Sequence, residues 1–369
     1  MDIFQDVVAE NYIERAGREQ ARQLGSVAMF ERYASNQERA KLNQDHVSNV
    51  PCTCDIREAF TAQHQLAIFL ICWFTERGGN MIPPSFEYFR PSTISEAVSL
   101  LQQHGDEAKI LSGGQSLIPM MKLRLARPGF LIDINRISGL SYIKEEGGFL
   151  KIGGLTREAE LEASPLLHSK YPIILDTASV IADPQVRNLA TIGGNLAHGD
   201  PANDHGATML ALGAQIVATG AKGQRVIRIE DFFVSLFTTA LTHDEILTEI
   251  RIPVPPPKSG GAYFKLERKV GDFATVAVAA QITLDAGGAC QKVGIGMTNV
   301  GATPLRAKKA EDFLRGKKPD AVNINQAAQL AADESQPSPD LRGPAEYKKG
   351  LVKELTKRAL SSALQRAGS

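Results

Sequence analysis

The stretch ILSGGQSLIPMMKLRLARPGFLIDI, residues 110–134, runs an apolar strand into two glycines, follows them with Gln115 and Ser116, and continues as a helical pattern before a second buried strand. A second passage, ATIGGNLAHGDPAND at 190–204, repeats the device. Glycines let successive backbone N–H groups turn toward one point, and a following helix adds the positive end of its dipole, so each loop has the makings of an anion-binding nest. A single Gly-Gly pair is usually a plain turn. Two of them, each after a strand and each beside a hydroxyl, point to one extended ligand with a pyrophosphate held between them, that is, a dinucleotide. The candidate contacts are Ser112, Gly113, Gly114, Gln115 and Ser116 from the first loop, and Thr191, Ile192, Gly193, Gly194 and Asn195 from the second.

Rival motifs fail. GIGMTNVG at 294–301 has its third glycine misplaced for a dinucleotide fingerprint and reads as a strand with no helix after it. No GxxxxGK[ST] loop occurs. His198, Asp200, Asp204 and His205 offer N and O ligands, but their spacing with Pro201 matches no metal signature, and a polar loop is the reading adopted. In KLERKVGDFATVAVA, Lys265, Arg268, Lys269 and Asp272 read either as a solvated charge run or as a strand end closing over a bound cofactor.

The bulk properties narrow the class. A chain of 369 residues implies two or three domains. Its 43% hydrophobic and 22% charged residues are ordinary for a globular enzyme. Zero formal net charge argues against a partner nucleic acid. The four cysteines, Cys52, Cys54, Cys72 and Cys290, form neither an iron–sulfur series nor a disulfide framework. With no basic-then-apolar leader pattern, a reducing cytoplasmic location is expected. The most apolar run, Leu66 to Phe74, is too short to span a bilayer, so no transmembrane segment is expected.

Along the chain, residues 1–80 differ in composition and read as an extension with weak helical stretches, either a non-conforming segment from a start codon placed too early or a helical appendage that docks Trp73 and its neighbours on a partner. From Ser92 the pattern tightens. Thr93 and Glu96 form a capping-box pair before a helix that Gly105 ends, and Ser116 caps a second whose Leu117, Met120, Met121 and Leu123 face the core. SYIKEEGGFLKIGG is a hairpin about Gly147-Gly148, residues 165–182 are helical, and AQIVATGAKGQRVIRI is a second hairpin. EILTEIRIPV is a strand ending in PPPKSGG, the best domain boundary. Beyond it come three strands and then helices, one of them Lys348 to Arg366. The order is α+β rather than a regular βαβ alternation.

Taken together, SGGQSLIPMMKLRLARPGFLIDINRI, ATIGGNLAHGDPANDHGATMLAL and KLERKVGDFATVAVA resemble the FAD-binding medium subunit of molybdenum hydroxylases, a family that includes the aerobic carbon monoxide dehydrogenase medium subunit and the flavin segment of xanthine dehydrogenase. The likeness runs from Met81 to about Arg366. It implies an extension at 1–80, a two-subdomain FAD-binding region of the vanillyl-alcohol-oxidase (PCMH) type at 81–257, and a C-terminal domain at 258–369 built of a three-stranded antiparallel sheet plus helices. It further implies that the first loop, with Leu117 beside it, and the second loop clamp the FAD pyrophosphate. Asp204 would hold a polar part of the flavin or ribityl chain, and Leu247 and Lys265 would lie by the ring. Ile181 fills a position that is aromatic in some relatives, and Gln115 stands where the carbon monoxide enzymes often carry histidine. Electrons in this family pass from a molybdenum centre through iron–sulfur clusters to FAD. The expected partners are therefore an iron–sulfur small subunit and a molybdopterin large subunit, as a dimer of heterotrimers, with no metal and no residue acting on the organic substrate in this chain. Two alternatives stay open: a self-contained FAD-dependent oxidoreductase and a flavin-free scaffold subunit.

Overall fold

The computed structural model describes residues 82–368, which lie within one unit spanning Gly78–Ser369. The readings of Leu66–Phe74 and Trp73 lie outside the described residues.

Strand β1 (Glu87–Phe89), helix α1 (Ile94–His104) and strands β2 (Ala108–Leu111) and β3 (Phe130–Asp133) form the first layer, a parallel sheet in the order β1-β3-β2. Helix α1 buries Ala97, Val98 and Leu101 against it. Its N-cap is Thr93, whose hydroxyl accepts from the Glu96 amide at 3.2 Å, but the Glu96 carboxylate turns to the amide of Ser92 at 2.8 Å. The capping box is thus shifted by one residue. Gly105 ends the helix at φ 53°. Helix α2 (Leu117–Lys122) bridges β2 and β3. Ser116 has αR backbone angles and its side chain makes no capping bond. Met121 is buried, whereas Leu123 follows the last helical residue and is 57% exposed, against the expectation that it faces the core.

The second sheet is antiparallel. Strands β4 (Ile143–Glu146) and β5 (Phe149–Gly153) form the hairpin about Gly147 and Gly148, whose φ values of 62° and 80° are those a tight primed turn demands. Six short helices follow: α3 (Glu158–Ala163), α4 (Pro165–Lys170), α5 (Pro172–Ser179), α6 (Pro184–Arg187), α7 (Ile192–His198) and α8 (Asp204–Leu212). The helical reading of 165–182 is broken at Tyr171, because Pro172 lacks an N–H and disfavours the α conformation before it. Strands β6 (Gln215–Gly220) and β7 (Gly223–Arg228), the small pair β8 (Phe233–Ser235) and β9 (Thr238–Thr239), and β10 (Ile246–Pro253) complete this region. The five-strand order is β4-β5-β10-β6-β7.

The third sheet, β11 (Ser259–Leu266), β12 (Val276–Leu284), β13 (Cys290–Thr298) and β14 (Leu305–Arg306), is also antiparallel. Three strands were expected; the fourth pairs through only two residues, too few to show as an alternating pattern. Both faces are buried. Val276, Val278, Ala280 and Ile282 of β12 join the core with helices α9 (Lys308–Leu314), α10 (Ala321–Glu334) and α11 (Ala345–Gly368). Ala277 and Ala279, on the opposite face, join the core that contains Ala207 and Ala211 of α8. Small residues line this second face for a steric reason. A Cβ on Gly294 would lie 2.0 Å from the carbonyl oxygen of Ala211, and one on Gly296 2.0 Å from that of Ala207. GIGMTNVG is therefore a strand whose glycines admit a helix backbone. Helix α8, which carries Asp204 and His205, is seated by this sheet.

Replacing Gly296 by valine should force α8 off β13 and cost about 3 kcal/mol of stability. Gly350→Ala, in α11 with open space where a Cβ would go, should be neutral or stabilising. Denaturant midpoints of the two variants check both.

Candidate functional site

The two glycine loops meet. The Ser112 and Thr191 hydroxyls are 2.7 Å apart, and a Cβ on Gly194 would lie 3.6 Å from the Ser112 side chain. A Cβ on Gly113 would stand 2.4 Å from the Leu189 carbonyl oxygen and 2.8 Å from Ala190 Cα. On the other side the stacking continues. Gly193 lies against the backbone of Gly154, and Gly154 against the Leu247 carbonyl on β10, both with a Cβ-to-oxygen distance of 2.4 Å. Four stretches of main chain, around Gly113, Leu189–Gly193, Gly154 and Leu247, are thus pressed together with no side chain between them.

This wall borders a cleft of about 650 Å³. Ser112, Gly113, Gly114, Gln115, Ser116, Leu117, Thr191, Gly193, Gly194, Asn195, Asp204, Leu247 and Lys265 all line it. Ile192 alone of the expected contacts does not: it is fully buried in the core beneath the loop, as the first apolar residue of α7 must be. Other residues also line the cleft, among them Asp106 just before β2, Lys109 within it and Phe237 at the β8–β9 turn. No local pattern marks them, since they converge only in three dimensions.

The loops are not equivalent. Gly114 adopts φ 77°, and the amides of Gly113, Gly114, Gln115 and Ser116 have no backbone acceptor among the described residues, so this loop is an open nest. The second loop's amides are occupied. Ile192 donates to the Thr156 carbonyl at 3.1 Å, Gly193 to that of Gly154 at 3.1 Å, Gly194 to Thr191 Oγ1 at 3.1 Å and Asn195 to the Thr191 carbonyl at 2.9 Å. Its glycines serve close backbone approach rather than a second nest. What it offers a ligand is the Asn195 side chain, whose Oδ1 is buried without a partner among the described residues.

Opposite lies a buried polar cluster. Asp204 accepts from the Tyr263 hydroxyl and pairs with Lys265 at 3.1 Å; Lys265 also donates to the Val180 carbonyl at 3.0 Å. Burial raises the Asp204 carboxyl above the usual carboxylate range, against the opposing pull of Lys265 and Tyr263. The same burial, with the Asp204 charge adding to it, carries the Tyr263 hydroxyl well above its ordinary value. The His198 ring lies 5.2 Å from that of Phe237, tilted at 50° to it, and burial holds it below the usual imidazole range. His205 turns the other way, onto Glu158 at 2.7 Å, with both side chains fully buried. The polar residues of 198–205 thus point to separate partners, and no group of three or more metal-ligating side chains forms among the described residues. Asp272, held by Arg268 and Arg342, and Phe273 also line the cleft.

Two family descriptions match this architecture: residues 84–255 match the FAD binding domain in molybdopterin dehydrogenase, and residues 261–363 the CO dehydrogenase flavoprotein C-terminal domain. The chain is 46% identical over 287 residues, 78% of its length and 99% of the relative's, to the carbon monoxide dehydrogenase medium chain of Afipia carboxidovorans. The chain belongs to the FAD-binding medium-subunit family of the molybdenum hydroxylases. It is also 37% identical over 287 residues, 78% of its length and 97% of the relative's, to the 6-hydroxypseudooxynicotine dehydrogenase complex subunit alpha of Paenarthrobacter nicotinovorans. Among solved structures, carbon monoxide dehydrogenase from Hydrogenophaga pseudoflava, in a form lacking the Mo-pyranopterin moiety of the molybdenum cofactor, superposes with a TM-score of 0.75 at 46% identity, covering 77% of this chain and 99% of that one. As a medium subunit of this family the protein is an oxidoreductase subunit, and its cofactor is FAD. The groups present fit that cofactor: an open nest for an anion, a buried amide oxygen at Asn195 left free to accept a hydrogen bond, and a buried cation at Lys265. Among the described residues no helix is long and apolar enough to cross a membrane.

Gly113→Ala should push the first loop away from the Leu189 carbonyl. The expected outcome is a stability loss of about 1–3 kcal/mol and a parallel loss of FAD affinity, read by thermal melting and flavin titration of the same preparation.

Proposed function

We propose that this medium subunit is the electron relay of its complex: it takes electrons from the iron–sulfur clusters of a small partner subunit into FAD and delivers them to an external acceptor. A molybdopterin large subunit would select the substrate, in a cytoplasmic dimer of heterotrimers. The chain would divide into an extension at 1–80, an FAD-binding domain at 81–257 and a C-terminal domain at 258–369.

The observation that carries this reading is the convergence of both glycine loops, Asp204, Leu247 and Lys265 on one cleft. The amides of Gly113 to Ser116 would hold the pyrophosphate, with the Asn195 side chain beside them. Asp204 and Lys265 would hold polar parts of the flavin, and Leu247 would pack on it. The bound FAD supplies one- and two-electron redox chemistry that no amino-acid side chain here provides. The protein's own contribution is to bind, orient and shield that group. Lys265, 3% exposed and paired with Asp204, supplies a fixed buried charge whose field acts on whatever lies in the cleft.

The full chain, purified alone, is expected to carry or take up one FAD and to show no turnover of carbon monoxide, purines or aldehydes by itself. Co-expression with the small and large subunits should yield a complex whose flavin is reduced on adding substrate. A colourless chain that takes up no FAD would favour the scaffold alternative. Turnover by the isolated chain would favour a self-contained oxidoreductase.

A further inference from the structure

The wall where the two loops meet is held from behind by a side chain that does not line the cleft. Arg157 is the N-cap residue of α3 and forms an antiparallel bridge with Thr191. Its own amide is fixed by Glu160 Oε2 at 2.7 Å. Its guanidinium bonds the chain just before the second loop directly and reaches the first loop through Asn135. Nη1 donates to the Leu189 carbonyl, the oxygen against which Gly113 is packed. Nη2 donates to Asn135 Oδ1 at 2.6 Å. Asn135 in turn donates through Nδ2 to the Ser112 carbonyl at 2.6 Å and to Asp133 Oδ1 at 2.7 Å. With its N–H bonds committed to those acceptors, the amide must present its oxygen to Arg157. Asp133 is itself fixed by the Tyr88 hydroxyl at 2.5 Å.

The consequence for the nest follows from peptide geometry. In a trans peptide the C=O and the following N–H point in opposite directions. Anchoring the Ser112 carbonyl on Asn135 therefore turns the Gly113 N–H away from Asn135, on the side where no acceptor among the described residues meets it. We propose that Arg157, acting through Asn135, is a positioning residue that sets the spacing of the two glycine loops and the direction of the Gly113 amide, and thereby the affinity for FAD. This rests on the reading that the cofactor lies in this cleft. The role needs a planar fork with two separate donors. A lysine at 157 keeps the charge but cannot hold both acceptors in the same geometry.

The test uses the full chain stripped of flavin and titrated with FAD by fluorescence quenching. Arg157→Ala should raise the dissociation constant roughly 10- to 100-fold, the range expected for lost charge-assisted hydrogen bonds. Arg157→Lys should recover little of that loss. Adding Asn135→Ala to Arg157→Ala should weaken binding no further, because one relay is already broken. Millimolar guanidinium should restore affinity to Arg157→Ala, whereas ammonium should not. A purely structural role would show none of this rescue. Unchanged affinity in Arg157→Ala, full recovery in Arg157→Lys, or additive losses in the double variant would each overturn the proposal. If Arg157→Ala fails to fold, Arg157→Lys and Asn135→Ala decide alone, since each must then weaken binding. An unaltered chain that takes up no FAD sinks the cofactor reading itself, and the proposal with it.

Discussion

Main chain meeting main chain without a Cβ between is the constraint on which the cleft depends. Gly113 on Leu189, Gly193 on Gly154, and Gly154 on Leu247 bring segments from the parallel layer, the short helices and the central strand of the second sheet to within contact distance. A methyl group at any of these points would have to displace backbone rather than a flexible side chain. The hydroxyl contact between Ser112 and Thr191 closes the same seam. Because the segments come from distant parts of the chain, the cleft exists only when the whole FAD-binding region is folded.

The same device recurs on the C-terminal side. Gly294 and Gly296, with Ala277 and Ala279, make a nearly flat face on which α8 lies. That helix delivers Asp204 to the cleft, and β11 delivers Tyr263 and Lys265 to meet it. A buried carboxylate, ammonium and phenol are costly unless they satisfy one another, and removing one partner strands the others. The C-terminal sheet therefore contributes to the cleft as well as to the core. It fixes both halves of a charged cluster whose members come from residues about sixty positions apart.

Much of this was legible in the sequence, and the exceptions have physical causes. The hairpins at Gly147-Gly148 and at Gly220 to Gly223 were readable because turn residues punctuate alternating strands. The first glycine loop was readable as a nest and is one. The second was readable as glycine-rich but not as occupied, since its acceptors at Thr156 and Gly154 lie far back in the chain. Leu123 looked apolar and in phase, yet the helix ends one residue earlier and leaves it outside. Strand β14 is too short for any periodicity. Arg157 and Asn135 gave no signal at all: each is a common polar residue after a strand, and only the fold brings one guanidinium within reach of two loops.

The most direct test of the account is a crystal structure of the full chain with FAD bound. The pyrophosphate is expected against the amides of Gly113 to Ser116, with the Asn195 side chain within hydrogen-bonding distance of the cofactor and the Ser112–Thr191 contact intact. A diphosphate bound elsewhere, with those amides facing solvent, would contradict it.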